Sequence, residues 1–369
     1  MKIGRFVLFL VIIFTIQARG QDDARTLDRL EQNTEISGNW FLAYTFNDRK
    51  NLNQYGLKRG YFTVKTKLNE IFSTRYTQDV TLDQEGSDAG NVEIRLKYLY
   101  IKAELERMAA LQNSYFEFGL VHRPWLSFES NINKYRVQGK MFAERHGIIN
   151  SADFGLTYAG LIGGQINKNY QKKVNSNFPG KYGSFAIGVF NGGGYHSIEL
   201  NNNKTVEGRL SLRPFYENIP GLQFTYAWSF GKANLPANTS DFNMNIFMVS
   251  YESHRIVLTG EYYTGKGDYE DNYIDLNNNS YDNNGFSLFG ELKIPGTNFS
   301  LIGRYDDFTS FQEKDFNSNI MVGGLAYRFL DSKLLIDYNR NTTTGEGTVN
   351  DLEAALEISF EPLFKSFIN

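Results

Sequence analysis

Within residues 91–100, NVEIRLKYLY, side-chain character alternates from Asn91 to Tyr98. Val92, Ile94, Leu96, Tyr98 and Tyr100 are apolar, and Glu93, Arg95 and Lys97 stand between them. A period of two over so long a run predicts a strand whose two faces meet different solvents. The pattern recurs. Phe62, Val64 and Leu68 oppose Lys65 and Lys67; Val206, Leu210 and Leu212 oppose Glu207, Arg209 and Arg213; Leu334, Ile336 and Tyr338 oppose Lys333, Asp337 and Asn339. About sixteen such runs follow one another: 36–46, 59–69, 70–82, 91–104, 113–129, 151–162, 182–191, 204–213, 221–230, 241–252, 254–265, 282–293, 297–308, 317–330, 332–343 and 350–361. Each is long enough for the roughly 9–11 residues that a tilted membrane strand needs. The expected fold is therefore all-β, a transmembrane antiparallel β-barrel of about 16 strands; the long basic segment between the fifth and sixth runs is expected to be its third extracellular loop, folded inward.

Composition supports two solvents on one wall. Aromatic residues make up 15% of the 369-residue chain and charged residues 21%, while mean hydropathy is −0.41. A barrel facing lipid outside and water inside has that average, because the two populations alternate along each strand. There is no cysteine, which excludes a disulfide framework, a thiolate metal site and a cysteine nucleophile.

Domain organisation follows from the N-terminus. Lys2 and Arg5, the apolar run 6–16 and Ala18-Arg19-Gly20 have the order of a secretory signal over 1–20. Residues 21–35 are expected to be a short periplasmic segment, and 36–369 the barrel. Losing Lys2, Arg5 and Arg19 takes the net charge from −3 to about −6, which argues against nucleic acid as a partner. The expected location is the outer membrane of a Gram-negative bacterial cell, with outer-membrane lipid and the barrel assembly machinery as partners.

Connections add an independent test. Tight joins are expected at 69–70, 253–254, 294–296 and 331–332, and long polar ones at 47–58, 83–90, 130–150, 192–203, 231–240, 266–281, 309–316 and 344–349. Short turns on one side and long loops on the other is the outer-membrane arrangement. Residues 163–181 break the rule: a short turn belongs there and nearly twenty residues are present, through either an insertion or a strand miscount. Pro124 falls where the fifth strand should continue, at the entrance to the long segment 130–150.

Several segments resemble the outer-membrane porins of the phosphate-selective porin O/P type. They are YGSFAIGVFNGGGYH at 182–196, GLVHRPWLSFES at 119–130, SADFGLTYAG at 151–160, and Lys58-Arg59-Gly60-Tyr61 at the opening of the second strand. The resemblance implies a sixteen-stranded barrel, a homotrimer, and a third loop that narrows the pore. The chain departs from such barrels at its C-terminus, where nine residues follow Phe360 and Phe364 or Phe367 would have to supply the terminal aromatic.

The four histidines, His122, His146, His196 and His254, show no metal-ligand spacing and no nucleophile motif. No catalytic, cofactor-binding or metal-ligating residue is assigned, and an enzyme is not expected. The acidic loop 265–281 offers many oxygen ligands, but its spacing matches no calcium loop. Inward-facing charge over the whole wall is near balance, so selectivity depends on which sign holds the narrowest section. The candidate constriction residues are Arg123, Lys134, Arg136, Lys140 and Arg145, with Glu129 and Glu144 in the same stretch. Candidate lumen-wall residues are Arg75, Arg95, Lys97, Arg209 and Arg213. The function expected is passive diffusion of small hydrophilic solutes, with a preference for anions such as phosphate. The alternatives are a closed barrel with an adhesive or structural surface role, and a soluble secreted β protein.

Overall fold

The computed structural model describes residues 33–83, 89–105, 111–236 and 240–360. The expected signal, most of the N-terminal segment and the residues after Phe360 lie outside the described residues. The chain forms β1 (Thr34–Asn47), β2 (Leu52–Lys67), β3 (Phe72–Leu82), β4 (Val92–Leu105), β5 (Leu111–His122) and β6 (Ala152–Ile162). It continues through β7 (Gly183–Phe190), β8 (Thr205–Leu212), β9 (Leu222–Lys232), β10 (Asp241–Glu252) and β11 (Ile256–Lys266). It ends with β12 (Asp282–Lys293), β13 (Phe299–Ser310), β14 (Phe316–Phe329), β15 (Ser332–Thr343) and β16 (Gly347–Phe360). Every strand pairs antiparallel with its sequence neighbours, and β1 pairs with β16 from Gly38↔Phe360 to Asn47↔Asp351, closing the barrel. Closure leaves no edge strand, so the backbone is satisfied without water. On β1, Trp40, Leu42, Tyr44 and Phe46 are exposed on the outer face, while Phe41 and Ala43 are buried inside.

Two β-bulges change the faces that the sequence suggests. Phe41 pairs with Arg59 and Leu42 with Leu57, leaving Lys58 as the extra residue of β2. Thr77 pairs with Tyr98 and Gln78 with Leu96, leaving Lys97 as the extra residue of β4. A bulge shifts register by one, which moves every later side chain to the other face. Tyr98 and Tyr100 therefore do not continue the outer stripe of Val92 and Ile94. They turn inward against His122, at ring distances of 4.0 and 5.6 Å, and the exposed Leu99 and Ile101 take the outer positions.

Three connections differ from expectation. The first long-side join is only residues 48–51, because β2 begins at Leu52 rather than near residue 59, and the last is only residues 344–346. The fifth strand stops at His122, and Pro124 opens a helix, α1 (Pro124–Ile132). In the first turn of a helix a missing N–H costs nothing. A second short helix, α2 (Phe142–Arg145), follows in the same loop. Residues 163–182 are an insertion on the short-turn side and not a miscounted strand. They carry α3 (Lys168–Lys173), whose N-terminus is capped by Asn167 accepting from the Tyr170 N–H at 2.8 Å. The insertion turns back into the lumen: Asn175 Nδ2 donates to Asn131 O (2.9 Å) and to Glu252 Oε1 (2.8 Å), and the Phe178 ring lies 5.2 Å from Phe128.

The loop 123–151 packs into the lumen. Trp125, Phe128, Met141, Phe142, Ile148 and Ile149 are fully buried against inward side chains of β9–β16, among them Phe242, Met244, Ile246, Tyr263 and Phe308. Burying each such side chain is worth roughly 1.5–3 kcal/mol, so hydrophobic packing holds the loop inside. Polar ties fix its height. Tyr135 OH donates to Glu291 Oε1 (2.8 Å), Arg304 Nη1 to Lys140 O (2.8 Å), and Lys58 Nζ to Val137 O (2.6 Å) and Gln138 O (3.0 Å). Gly285 makes room for this packing, since a Cβ there would meet Phe142 Cζ at 2.7 Å. Phe142→Ala should weaken docking of the loop by about 3–5 kcal/mol while the hydrogen-bonded wall stays intact. Proteolytic nicking within 123–151 of the folded barrel should rise with an unchanged β circular-dichroism spectrum.

Candidate functional site

With the β9–β16 side filled at mid-height, the remaining space runs along the inner face of β1–β4 and, on the long-loop side, also reaches β14 and β15 at Ser318, Ile320 and Asn341. On the long-loop side it opens into a cavity of about 690 Å3, bordered by Arg59, Arg95, Lys140, Arg145, Tyr195 and Glu270. Beside it lies one of about 750 Å3, bordered by Lys58, Arg59, Arg95, Arg136 and Lys140 with Asp83 and Glu93. Toward the short-turn mouth there is a chamber of about 440 Å3. Arg136 borders both the 750 Å3 space and this chamber, and Glu144 borders both the 690 Å3 space and the chamber. The neck between the two ends is therefore the Arg136–Glu144 pair, a two-pronged contact of which one arm is Nη2–Oε1 at 3.2 Å.

The facing wall is held by one buried carboxylate. Asp79 on β3 accepts an ion pair from Arg59 Nε of β2 (3.1 Å), lies 3.5 Å from Arg95 Nη2 of β4, and receives Tyr195 OH from the loop after β7 (2.8 Å). Lys58, displaced inward by its bulge, pairs with Glu353 of β16. Lys140 forms no ion pair among the described residues, and its side chain is exposed to both outer cavities. Lys58, Arg59, Arg95 and Lys140 thus stand beside the paired neck, while Asp83, Glu93 and Glu270 lie farther out on the long-loop side.

The expected constriction residues separate into two groups. Arg136 is at the neck, Lys140 borders the outer cavities, and Arg145 borders one of them while tied to Asp306 (3.5 Å) and Gln138 Oε1 (2.8 Å). Lys134 lies instead toward the short-turn mouth, 3.5 Å from Asn175 of the insertion. Arg123 is 0% exposed and cannot meet a solute. Its Nε donates to Glu207 Oε2 at 2.6 Å and its Nη1 lies 3.6 Å from Asp153, locking the start of α1 to β8 and β6. On the wall, Arg95 borders the outer cavities, and Arg75 and Lys97 border the inner chamber. Arg209 and Arg213 face inward but are covered. Arg209 lies over the rings of Phe128 (4.3 Å) and Phe178 (5.0 Å), and Arg213 lies over Tyr170 (5.3 Å) and donates to Pro220 O (2.5 Å). They bind the loop and the insertion to the wall. Lys58, Arg59, Tyr61 and Tyr195 are site residues that the alternation did not single out, whereas Asp79 was expected on the inner face. The Lys58-Arg59-Gly60-Tyr61 segment was visible as a motif, but its place at the neck depends on the bulge.

No family model matches the sequence, and no curated protein matches it. Solved structures do match. The structure described as Salmonella typhi OmpF complex with daunomycin is 12% identical with a TM-score of 0.62, covering 89% of this chain and 98% of that one. An anion-selective porin from Comamonas acidovorans is 10% identical with a TM-score of 0.59, covering 89% and 99%. Outer-membrane expressed OmpT of Vibrio cholerae is 12% identical with a TM-score of 0.57, covering 89% and 97%. The chain has the fold of the outer-membrane porins. At these identities the likeness carries the architecture and leaves the lining chemistry to this chain's own residues.

The loop 267–281 lies across the top of the inward loop. Tyr273 OH donates to His146 O (2.8 Å), and Asn150 Nδ2 donates to Tyr269 OH (3.2 Å). Asp268 organises the crossing by accepting the backbone N–H groups of Glu270 (2.7 Å) and Tyr273 (2.8 Å). Burial pushes the Asp268 carboxyl up to about 6, and burial with Asp268 beside it pushes Asp271 up to about 7. A carboxyl raised by the folded loop favours the protonated form, so this contribution is greatest below the ordinary carboxylate range and is lost as pH rises through 6 to 7. Amides of 267–281 should therefore be better protected from hydrogen exchange at pH 5 than at pH 8, after correction for intrinsic rates.

Proposed function

We propose that the protein is an outer-membrane channel for passive diffusion of small hydrophilic solutes, with a preference for anions. The observation that carries this reading is the neck, where Arg136 borders the spaces on both sides and Arg59, Arg95 and Lys140 stand close by. Fixed cations at the narrowest section lower the barrier to anions and raise it to cations. Arginine adds a planar fork suited to carboxylate and phosphate oxygens. The porin fold supports the membrane assignment, with export by a cleaved signal and insertion by the barrel assembly machinery. A homotrimer follows from the family resemblance, and one similar structure from Vibrio cholerae is described as a trimer form. Phosphate as the favoured solute rests on the resemblance alone. No residue set points to enzymatic chemistry in this reading.

A specific observation favours the second reading, a closed barrel with a surface role. The inward loop, the insertion at 163–182 and the crossing loop 267–281 together occupy much of the lumen. Conductance separates the two. The purified protein in a planar bilayer should show discrete open-channel steps, and their absence would leave the surface role. In a KCl gradient the reversal potential should have the sign of chloride permeation. A unit charge a few ångströms from a passing ion is worth about 1 kcal/mol in water, or roughly fivefold in the permeability of an ion of one sign. Lys140→Ala should reduce the anion preference by about that factor. Arg136→Ala should reduce it further, because Glu144 is then left unpaired at the neck. A cation preference in the parent protein, or no change in either variant, would overturn the assignment of the neck.

A further inference from the structure

The chamber of about 440 Å3 below the neck has its own chemistry. Three cations border it, Arg136 at the neck, Arg75 of β3 and Lys97 of the β4 bulge, and among the described residues neither Arg75 nor Lys97 is paired with a carboxylate. Arg75 donates to Thr77 Oγ1 (3.0 Å) and faces His122 Nε2 (3.0 Å). Lys97 is 4% exposed, and its ammonium has one hydrogen-bond partner, Tyr61 OH at 3.2 Å. Arg59, Arg95, Arg136 and Lys58 each lie against a carboxylate. The acid that borders the chamber, Glu144, is held by Arg136, and Glu117 faces His122 at 3.7 Å. The rings of Tyr61, Tyr98 and Tyr195 face the Lys97 ammonium at 4.6, 5.8 and 5.7 Å but carry no full negative charge; a nearly buried ammonium without an anion is costly, and a negatively charged solute group resting between Lys97 and Arg75 would relieve it.

The remaining lining is hydroxyl and amide. Thr63 and Thr77 line the same wall with their hydroxyls 2.9 Å apart. Ser127, Ser130 and Asn131 border the chamber from α1. Ser130 Oγ already donates to Leu126 O (2.7 Å), which leaves its lone pairs to accept. Neutral donors and acceptors spread over such a space exceed what a compact oxyanion can touch, and they match a polyol. The volume is in the range of small-ligand sites.

We propose that this chamber is a transit subsite for an acidic monosaccharide, whose carboxylate rests between Lys97 and Arg75 while its hydroxyls meet the Thr63, Thr77 and Ser127–Ser130 groups. This rests on the channel reading and specifies its solute class. The test is single-channel recording with glucuronate, glucose or inorganic phosphate added at equal concentration on the short-turn side. Glucuronate should produce resolved interruptions of the open current, glucose none, and phosphate weaker ones. The apparent affinity for glucuronate should fall about tenfold in Lys97→Gln and in Arg75→Gln, whereas Arg75→Lys, which keeps the charge, should retain most of it. Folding of each variant is checked by heat-modifiable migration. Equal interruption by phosphate would make this a compact-oxyanion site, and equal interruption by glucose would mean that charge is not read; either overturns the proposal. So does an effect of glucuronate that the Lys97 and Arg75 variants leave unchanged. Open steps in the parent protein without any interruption would overturn the subsite and leave the channel standing. With no steps at all the channel reading fails, and calorimetric titration of the folded barrel with glucuronate then decides the subsite alone.

Discussion

The packing of the inward loop against one half of the lumen decides what the rest of the barrel can do. The wall satisfies its own backbone by closing on itself, so it would stand with the lumen empty. The loop has no such self-sufficiency. It stays inside because Trp125, Phe128, Met141 and Phe142 find Phe242, Met244, Tyr263 and Phe308 facing them. Placing that apolar mass on the β9–β16 side moves the aqueous path to β1–β4. The residues that a solute meets are therefore set by a hydrophobic contact in which they take no part.

This division sorts the arginines. Arg123, Arg209 and Arg213 face inward at the end of β5 and along β8, yet they are covered by α1 and the insertion and bind protein: two carboxylates, three phenylalanine rings, a tyrosine ring and a backbone carbonyl. Arg59, Arg95 and Arg136 have the same side chain and sit on the open side. Buried ion pairs gain little net stability, because desolvation offsets attraction. Their use here is positional. Glu207 holds Arg123 at the point where β5 gives way to α1, and so fixes where the loop enters the lumen.

The wall was legible in the sequence because a two-solvent strand writes its period into every residue. All sixteen strands fall on the expected runs, with ends shifted where turn chemistry and not the period decides, as at Leu52 and Pro124. The bulges were not legible as single events, although the outer stripe Val92, Ile94, Leu96 resumes at Leu99 and Ile101, an odd spacing that marks the slip. The filled side also left a trace. On β10, Phe242, Met244, Ile246 and Met248 face in while Phe247 and Val249 face out. A strand apolar on both faces in a water-filled barrel says that protein covers it. Partners such as Glu207 for Arg123, 84 residues apart, leave no such trace, because ion pairing across a lumen has no sequence period. For that reason the basic residues of the loop could be gathered as candidates but not sorted.

A charge discriminates between passing ions only if it stays where the path is narrow, since a mobile loop would average its charges over the lumen. Here the loop is held from both ends. Asn175 and Phe178 of the insertion meet α1 from the short-turn side, and Tyr269 and Tyr273 meet residues 146–150 from the long-loop side. Between these supports lie Arg136 and Glu144, eight residues apart and paired across the loop's own turn. The insertion at 163–182 looked like an irregularity against the short-turn rule. Its contacts give it a physical role: it closes the side from which hydrophobic packing alone would leave α1 open to water.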